Sequence, residues 1–301
     1  MNILHNTPLA KYTTFRIGGN ADIFIEIKNK EDIQNLQFKK ILKNSENICI
    51  LGGGSNTVFS DTGFKGTVVY MSNRNINLVS ENNKTCIITC ESGAQIMPIF
   101  MFAKKYSADF SPFSTIPGTI GGALAGNAGV PKMEISDIFL EAELFDIKKQ
   151  KFITVDKTFF NFIYRHSDLQ SANKKNKYII WSVTIQLQKR NIQDIESETK
   201  EYLEMRKLKQ PFGKTGGSFF KNPKEGAAGM FLDKAGFKNY KHGGAFFSEK
   251  HANFLMSDGT ATQKDILELQ KIAQTKIFEQ FGVTLQREVR VIDEYGELIQ
   301  P

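Results

Sequence analysis

"NICILGGGSN", from Asn47 to Asn56, carries a short apolar strand straight into three glycines, a serine and an asparagine. The stretch decides the fold, because a strand ending in a glycine loop is a common place for an α/β protein to hold phosphate. The dinucleotide fingerprint G-x-G-x-x-G is not spelled here: the loop reads GGGSNTV, and no acidic residue follows about 20 positions on in a second strand. A second such stretch, "IPGTIGGALAGNAG" from Ile116 to Gly129, holds five glycines around Pro117 and Asn127. Both expose backbone N–H groups suited to phosphate oxygens, and two of them in one region suggest a pyrophosphate clamp; glycine clusters serve as tight turns equally well. "GKT" at Gly213 to Thr215 is not a P-loop, because Leu208 stands where that motif needs glycine.

Outward from these loops the pattern is mixed. "ADIFIEIK" alternates as a strand with one buried face, and "GTVVYM", "KTCIITCE", "LEAELFDI" and "KYIIWSVTIQLQ" read as further strands. "IMPIFMFAKKYSADF" reads as a helix with Pro98 in its first turn. Strands and helices do not alternate regularly, so the fold class is α+β. Near residue 190 the composition turns charge-dense and helical, "QDIESETKEYLEMRKLKQP", with Pro211 as its stop. The last segment holds one strong helix, "TQKDILELQKIAQTKIFEQFG". Thr262 and Asp265 form a capping pair, Ile266, Leu269, Ile272, Ala273, Ile277 and Phe281 an apolar stripe, and Gly282 the stop. "VTLQREVRVID" then alternates as a strand, with Val283, Leu285, Val289 and Val291 inward and Gln286, Glu288 and Arg290 on a polar face.

With 301 residues, 41% hydrophobic and 24% charged, the chain is globular and long enough for two or three domains. The net charge of +7 points to an anionic partner or to a solvated basic surface, and its even spread favours a small anion over nucleic acid. Three cysteines without C-x-x-C spacing give neither a zinc site nor a disulfide framework and suit a reducing cytoplasm. No signal-like start is evident, and the apolar run "MPIFMFA" is far too short for membrane insertion. His166, His242 and His251 lack H-x-H or H-E-x-x-H spacing, so no metal is expected. Taken singly, Arg165 in "FIYRHSD", Ser218 in "GGSFFKNP" and Glu288 read as ordinary surface or turn residues.

Taken in order along nearly the whole chain, "TTFRIGGNAD", "LGGGSN", "IPGTIGGALAGNAG", "YRHS", "GGSFFKNP", "KHANF" and "GVTLQREVRV" resemble the UDP-N-acetylenolpyruvoylglucosamine reductases (MurB). The stretch between Arg165 and Ser218 is too short for the tyrosine-bearing insert of one family type, so the chain resembles the shorter type. The resemblance implies a PCMH/vanillyl-alcohol-oxidase-type FAD-binding region of two subdomains (1–72 and 73–190) and a C-terminal α+β substrate domain (191–301). It implies non-covalent FAD held by Gly52, Gly53, Gly54, Ser55 and Asn56 and by Pro117, Gly118, Thr119, Gly121, Gly122, Asn127 and Gly129. It also implies catalytic roles for Arg165, Ser218 and Glu288, and substrate contacts from Tyr164, Lys221, Asn222 and Asn253. The reaction implied reduces an enolpyruvyl nucleotide sugar to its lactyl ether with NADPH through FAD, within peptidoglycan precursor synthesis. Departures occur at Val130, Pro131 and Lys132, where the family often has a small residue, tyrosine and glycine. Two other readings stand beside this one. A flavin oxidase of the same fold would often tether its flavin through histidine or cysteine, and neither glycine loop has one. A non-catalytic nucleotide-sugar binding protein would not need Arg165, Ser218 and Glu288 together. Lysines 221, 238, 241 and 250 are candidates for a substrate diphosphate.

Overall fold

The computed structural model describes residues 1–131, 133–171 and 174–299. By packing, the chain forms two compact units. The first gathers Met1–Ile3, Phe24–Gly53 and Thr67–Met205, and the second Leu4–Ile23, Gly54–Gly66 and Arg206–Pro301. The continuous segments 1–72, 73–190 and 191–301 expected from the sequence follow chain order, whereas Leu4–Ile23 and Gly54–Gly66 group with the C-terminal part. Pairing explains this for Thr57–Val58, which lies parallel to Arg290–Val291.

In the first unit an antiparallel sheet orders strands Lys151–Asp156, Phe139–Asp146, Tyr178–Gln188, Thr85–Glu91 and Ile76–Glu81. Cys86, Ile88 and Cys90 alternate inward along one strand, opposite Leu187, Ile185 and Val183. Helices Ile96–Lys104 and Ile120–Gly126 contribute Ile96, Ile99, Phe100, Ile120 and Leu124 to the same core. None of the three cysteines is in a disulfide and all are buried, and burial pushes the Cys90 thiol up to about 12. The helix from Ile96 is shorter than its sequence suggests. Ser107 turns left-handed at φ 56°, and Ala108 then bridges to Lys189, which takes the chain out of the helical path. Ile48–Leu51 pairs in parallel with Thr67–Tyr70, so the chain must leave this strand through a crossover that begins at the glycine loop.

In the second unit strands Lys214–Ser218, Phe254–Ser257, Ala245–Phe247 and Lys241–His242 form an antiparallel sheet. Helix Gln263–Phe281 buries Ile266, Leu269, Ala273 and Ile277 in the same core as Phe219, Phe220, Leu255, Leu285 and Val289. Its start is a full capping box between Thr262 and Asp265, and Gly282 ends it at φ 68°. Asp61 adds a second cap, both carboxylate oxygens accepting from Gln263 N–H at 2.9 Å. Among the described residues no helix is long and apolar enough to cross a membrane.

The segment Val283–Val291 keeps the expected alternation in burial, yet only Arg290–Val291 is assigned as strand. The reason is a bulge: the Phe219 carbonyl accepts from Glu288 N–H at 2.8 Å and, more weakly, from Val289 N–H at 3.5 Å. Arg287 falls on the inward side. Burial pushes its guanidinium down to about 10, and it donates to Gln270 Oε1 at 2.7 Å and to the Ile299 carbonyl.

Thr262→Ala is expected to lower stability by about 1 kcal/mol in urea unfolding with an unchanged m-value, since it removes one capping acceptor and leaves the core intact.

Candidate active site

The two glycine loops meet within the first unit. A methyl on Gly52 would lie 2.5 Å from Thr119 Oγ1, and one on Gly53 only 2.9 Å from Gly118 Cα. The loops therefore pack backbone to backbone, while Gly53, Pro117 and Gly122 remain exposed. Thr119 caps the helix Ile120–Gly126, and Gly121 is pressed on Ser92, where a methyl would sit 2.7 Å from its Cβ. Asn127 ends that helix left-handed at φ 46°. Its Nδ2 donates to Glu134 Oε2 at 2.7 Å and to the Ile163 carbonyl at 3.0 Å, and its Oδ1 accepts from Ser136 N–H.

Arg165 sits two residues beyond Ile163 in a tight turn, at φ 54°. Its Nη1 donates to Glu134 Oε1 at 2.8 Å and its Nη2 to the Gly129 carbonyl at 2.6 Å. The guanidinium lies 5.1 Å from the ring centroid of Tyr164, which is itself exposed. Of the family departures, Val130 and Pro131 belong to the hairpin beside Gly129, and Lys132 lies outside the described residues.

The remaining expected residues lie in the second unit. Gly54 needs to be glycine twice over: φ is 61°, and a methyl would collide with the Tyr12 carbonyl. Asn56 is tied to the C-terminal segment by its Nδ2 to the Glu288 carbonyl at 3.2 Å and by its carbonyl accepting Arg290 N–H at 3.0 Å. In "GGSFFKNP" the two glycines answer different demands. Gly216 lies against the Phe15 ring, 2.5 Å from where a methyl would be, and Gly217 turns at φ 85°. Both fall in the register shift that precedes the pairing of Ser218 with Phe254. Phe219 and Phe220 are fully buried and meet edge to face at 4.9 Å. Glu288 is bonded through its N–H to Phe219, the residue after Ser218, so the serine and the carboxylate stand on adjoining backbone.

Ser218 lines a cavity of about 700 Å³ together with Asn222, Met230, Asp233, Lys234, Lys238, Lys250, His251 and Asn253. Three lysines against one aspartate make the cavity basic, although Lys238 is paired with Asp233 at 2.7 Å. Lys221 and Lys241 are not among its lining residues. The Asn253 amide is committed to the Phe220 backbone, accepting at 2.9 Å and donating at 2.8 Å, and Asn222 Oδ1 accepts Ala228 N–H at 3.1 Å. His251 Nδ1 accepts from Asn253 N–H at 3.2 Å, which places the neutral ring's proton on Nε2. Burial holds the His251 pKa below its ordinary value, with Lys238 acting in the same direction.

Within the first unit, the glycine loops fit the phosphates of a bound flavin dinucleotide. The bare backbone of Gly52, Gly53, Gly118 and Thr119 offers a surface on which phosphate oxygens can lie close to N–H groups. Beside Asn56, Arg290 Nε is buried without a hydrogen-bond partner among the described residues, and a buried donor of this kind calls for an acceptor. Three residues that the structure places beside the candidates, Glu134, Lys234 and Arg290, were not singled out by the sequence. For Glu134 the available signal was an acidic residue five positions after the end of the "GNAG" loop; Arg290 was already on the polar face of its segment.

An α+β frame with two opposed glycine loops defines an FAD-dependent flavoprotein, and an FAD-binding domain model matches residues 21–155. A second model, for the C-terminal domain of UDP-N-acetylenolpyruvoylglucosamine reductase, matches residues 207–292. The reductase of that name from Desulforamulus reducens is 36% identical over 96% of this chain and 93% of its own length. The one from Aquifex aeolicus is 33% identical over 98% and 97%. The crystal structure of MurB from Thermus caldophilus superimposes with a TM-score of 0.79 at 26% identity, covering 96% of this chain and 98% of that one. The chain belongs to the UDP-N-acetylenolpyruvoylglucosamine reductase (MurB) family.

Gly53→Ala is expected to force the two loops apart, and purified protein should carry much less FAD by its absorbance near 450 nm per chain, roughly a tenfold weaker hold for about 1.4 kcal/mol. Because the His251 pKa is lowered by folding, the unfolded chain takes up a proton near pH 6.5 before the native one does, so stability falls as pH drops below that point. Urea unfolding at pH 7.5 and 5.5 should show a smaller acid loss for His251→Asn than for the unsubstituted chain.

Proposed function

We propose that the chain reduces the enolpyruvyl group of UDP-N-acetylglucosamine enolpyruvate to the lactyl ether, with NADPH as reductant and residues 191–301 as the substrate domain. When bound, FAD supplies hydride relay from NADPH to the vinyl carbon C3 of the substrate. Addition there leaves an electron pair at C2 that spreads into the substrate carboxylate as an enolate. Arg165, permanently charged and forked, is the group assigned to hold that charge. Ser218 is assigned as the proton donor to C2. A free hydroxyl is a poor acid, but an enolate carbon is a strong base, and a donor held in place overcomes much of the difference. Glu288 is assigned to the hydrogen-bond network that orients the serine and the carboxylate.

The observation that carries this reading is the position of Ser218 on the wall of a basic cavity, with Glu288 bonded to the very next residue. The cavity lysines Lys234, Lys238 and Lys250 suit the diphosphate of a nucleotide sugar. Asn253 supports the site as a brace on Phe220, and Asn222 as the residue that anchors Ala228. Tyr164 is assigned to the substrate through its contact with Arg165. Lys221 keeps only an expected contact made outside this cavity. Buried cysteines outside any disulfide accord with work in the cytoplasm, where NADPH is available.

Anaerobic stopped-flow of the two half-reactions tests the assignment. Ser218→Ala should leave flavin reduction by NADPH within about threefold of normal and slow reoxidation by the enolpyruvyl nucleotide sugar by at least about 10²-fold. Equal slowing of both halves would remove Ser218 from the proton-donor role.

A further inference from the structure

We propose that Glu134 is a positioning residue for Arg165, setting the direction in which its guanidinium presents charge; the inference rests on the function proposed above. Glu134 and Gly129 face each other across the hairpin formed by Gly129–Val130 and Met133–Glu134. A methyl on Gly129 would lie 2.3 Å from the Met133 carbonyl, so the hairpin closes only with glycine there. The Gly129 carbonyl and the Glu134 carboxylate are thereby cross-strand neighbours, and they take the two ends of one guanidinium, Nη2 at 2.6 Å and Nη1 at 2.8 Å. The Glu134 carboxylate also accepts the Arg165 backbone N–H at 3.4 Å, a long and weak contact, but one that acts on the left-handed residue itself. A non-glycine residue at positive φ costs energy and persists only where its surroundings hold it. Here the reciprocal Ile163–His166 backbone bonds, at 3.1 and 3.0 Å, close the turn, and Glu134 holds the residue at its tip.

Glu134 is itself fixed. Its N–H donates to Asp137 Oδ2 at 2.7 Å in a capping box, and its second oxygen takes Asn127 Nδ2 at 2.7 Å. Asn127 terminates the glycine-rich helix, so one carboxylate joins that loop to Arg165. The Arg165 and Glu134 side chains remain 14% and 23% exposed, so the ion pair is only partly shielded from solvent. Remove the carboxylate and the fork loses its anchor at Nη1. The charge then meets the developing enolate at the wrong angle, while groups that act only on flavin reduction are untouched.

The test uses the full FAD-loaded chain with Glu134→Gln and Glu134→Ala. Flavin reduction by NADPH is expected within about threefold of normal, and reoxidation by the enolpyruvyl nucleotide sugar about 10²-fold slower for the alanine variant and less so for glutamine, which keeps one acceptor. Calorimetry on the same FAD-loaded chain, without NADPH so that no turnover occurs, should show weaker binding of the sugar by Glu134→Ala. The loss in Glu134→Ala/Arg165→Lys should not exceed that of Arg165→Lys alone, since both act through one guanidinium. Additive losses, or equal slowing of both half-reactions with a lowered melting temperature, would make Glu134 a brace of the hairpin and overturn the proposal. An unsubstituted enzyme that NADPH reduces but the sugar does not reoxidise would overturn the proposed function and this inference together. Normal turnover in the unsubstituted enzyme beside unimpaired variants would overturn the role of Glu134 alone.

Discussion

Buried backbone N–H and C=O groups must be satisfied, and at four places in this chain where the regular ladders give out an asparagine side chain does so. Asn253 makes both hydrogen bonds of an absent strand to Phe220. Asn73 joins the Trp181 carbonyl to Gly93 N–H, and Asn127 joins the Ile163 carbonyl to Ser136 N–H. Asn56 binds the Glu288 carbonyl. Each stands where chain that is too irregular for a sheet must still be buried. Without these amides the loops that present Ser218, Glu288 and Arg165 would either take up water or relax.

The same constraint bears on the three catalytic candidates, which all lie on irregular backbone. Ser218 follows a register shift, Glu288 sits in a bulge, and Arg165 occupies a left-handed turn. A regular strand offers only two directions for a side chain, and a helix only its periodic faces. Local irregularity aims a group elsewhere, and its energetic cost is offset by rigid neighbours: the buried Phe219 and Phe220 rings for Ser218, and the Glu134–Asn127 network for Arg165. His251 shows the electrostatic counterpart. Its Nδ1 is engaged by backbone and its surroundings disfavour charge, so it faces the basic cavity as a neutral donor.

Much of the fold was legible because it rests on period and on capping chemistry. The stripe from Ile266 to Ile277, the Thr262–Asp265 box and the Gly282 stop are local features, and the structure contains all three. The alternation from Val283 to Val291 was legible as burial but not as geometry, since the bulge depends on Phe219, more than sixty positions earlier. Within the basic loop, the sequence suggested Lys238 and Lys250 without distinguishing them from Lys221 and Lys241, and it passed over Lys234. Which lysine reaches a cavity depends on how the helix Ala228–Lys234 packs, and composition carries no trace of that.

By itself, then, the order of residues determined the α+β class, the two glycine loops, the family and the identity of the arginine, serine and glutamate singled out as catalytic candidates, because each is carried by local pattern or by motifs in fixed order. Tertiary structure alone decided that Asn253 serves Phe220, that Glu134 holds Arg165, and that Arg290 keeps a buried donor without a partner among the described residues. Those are relations between side chains that lie 31 or 33 positions from their partners, or that depend on the surroundings as a whole, and they exist only once the backbone has brought the groups within hydrogen-bond reach.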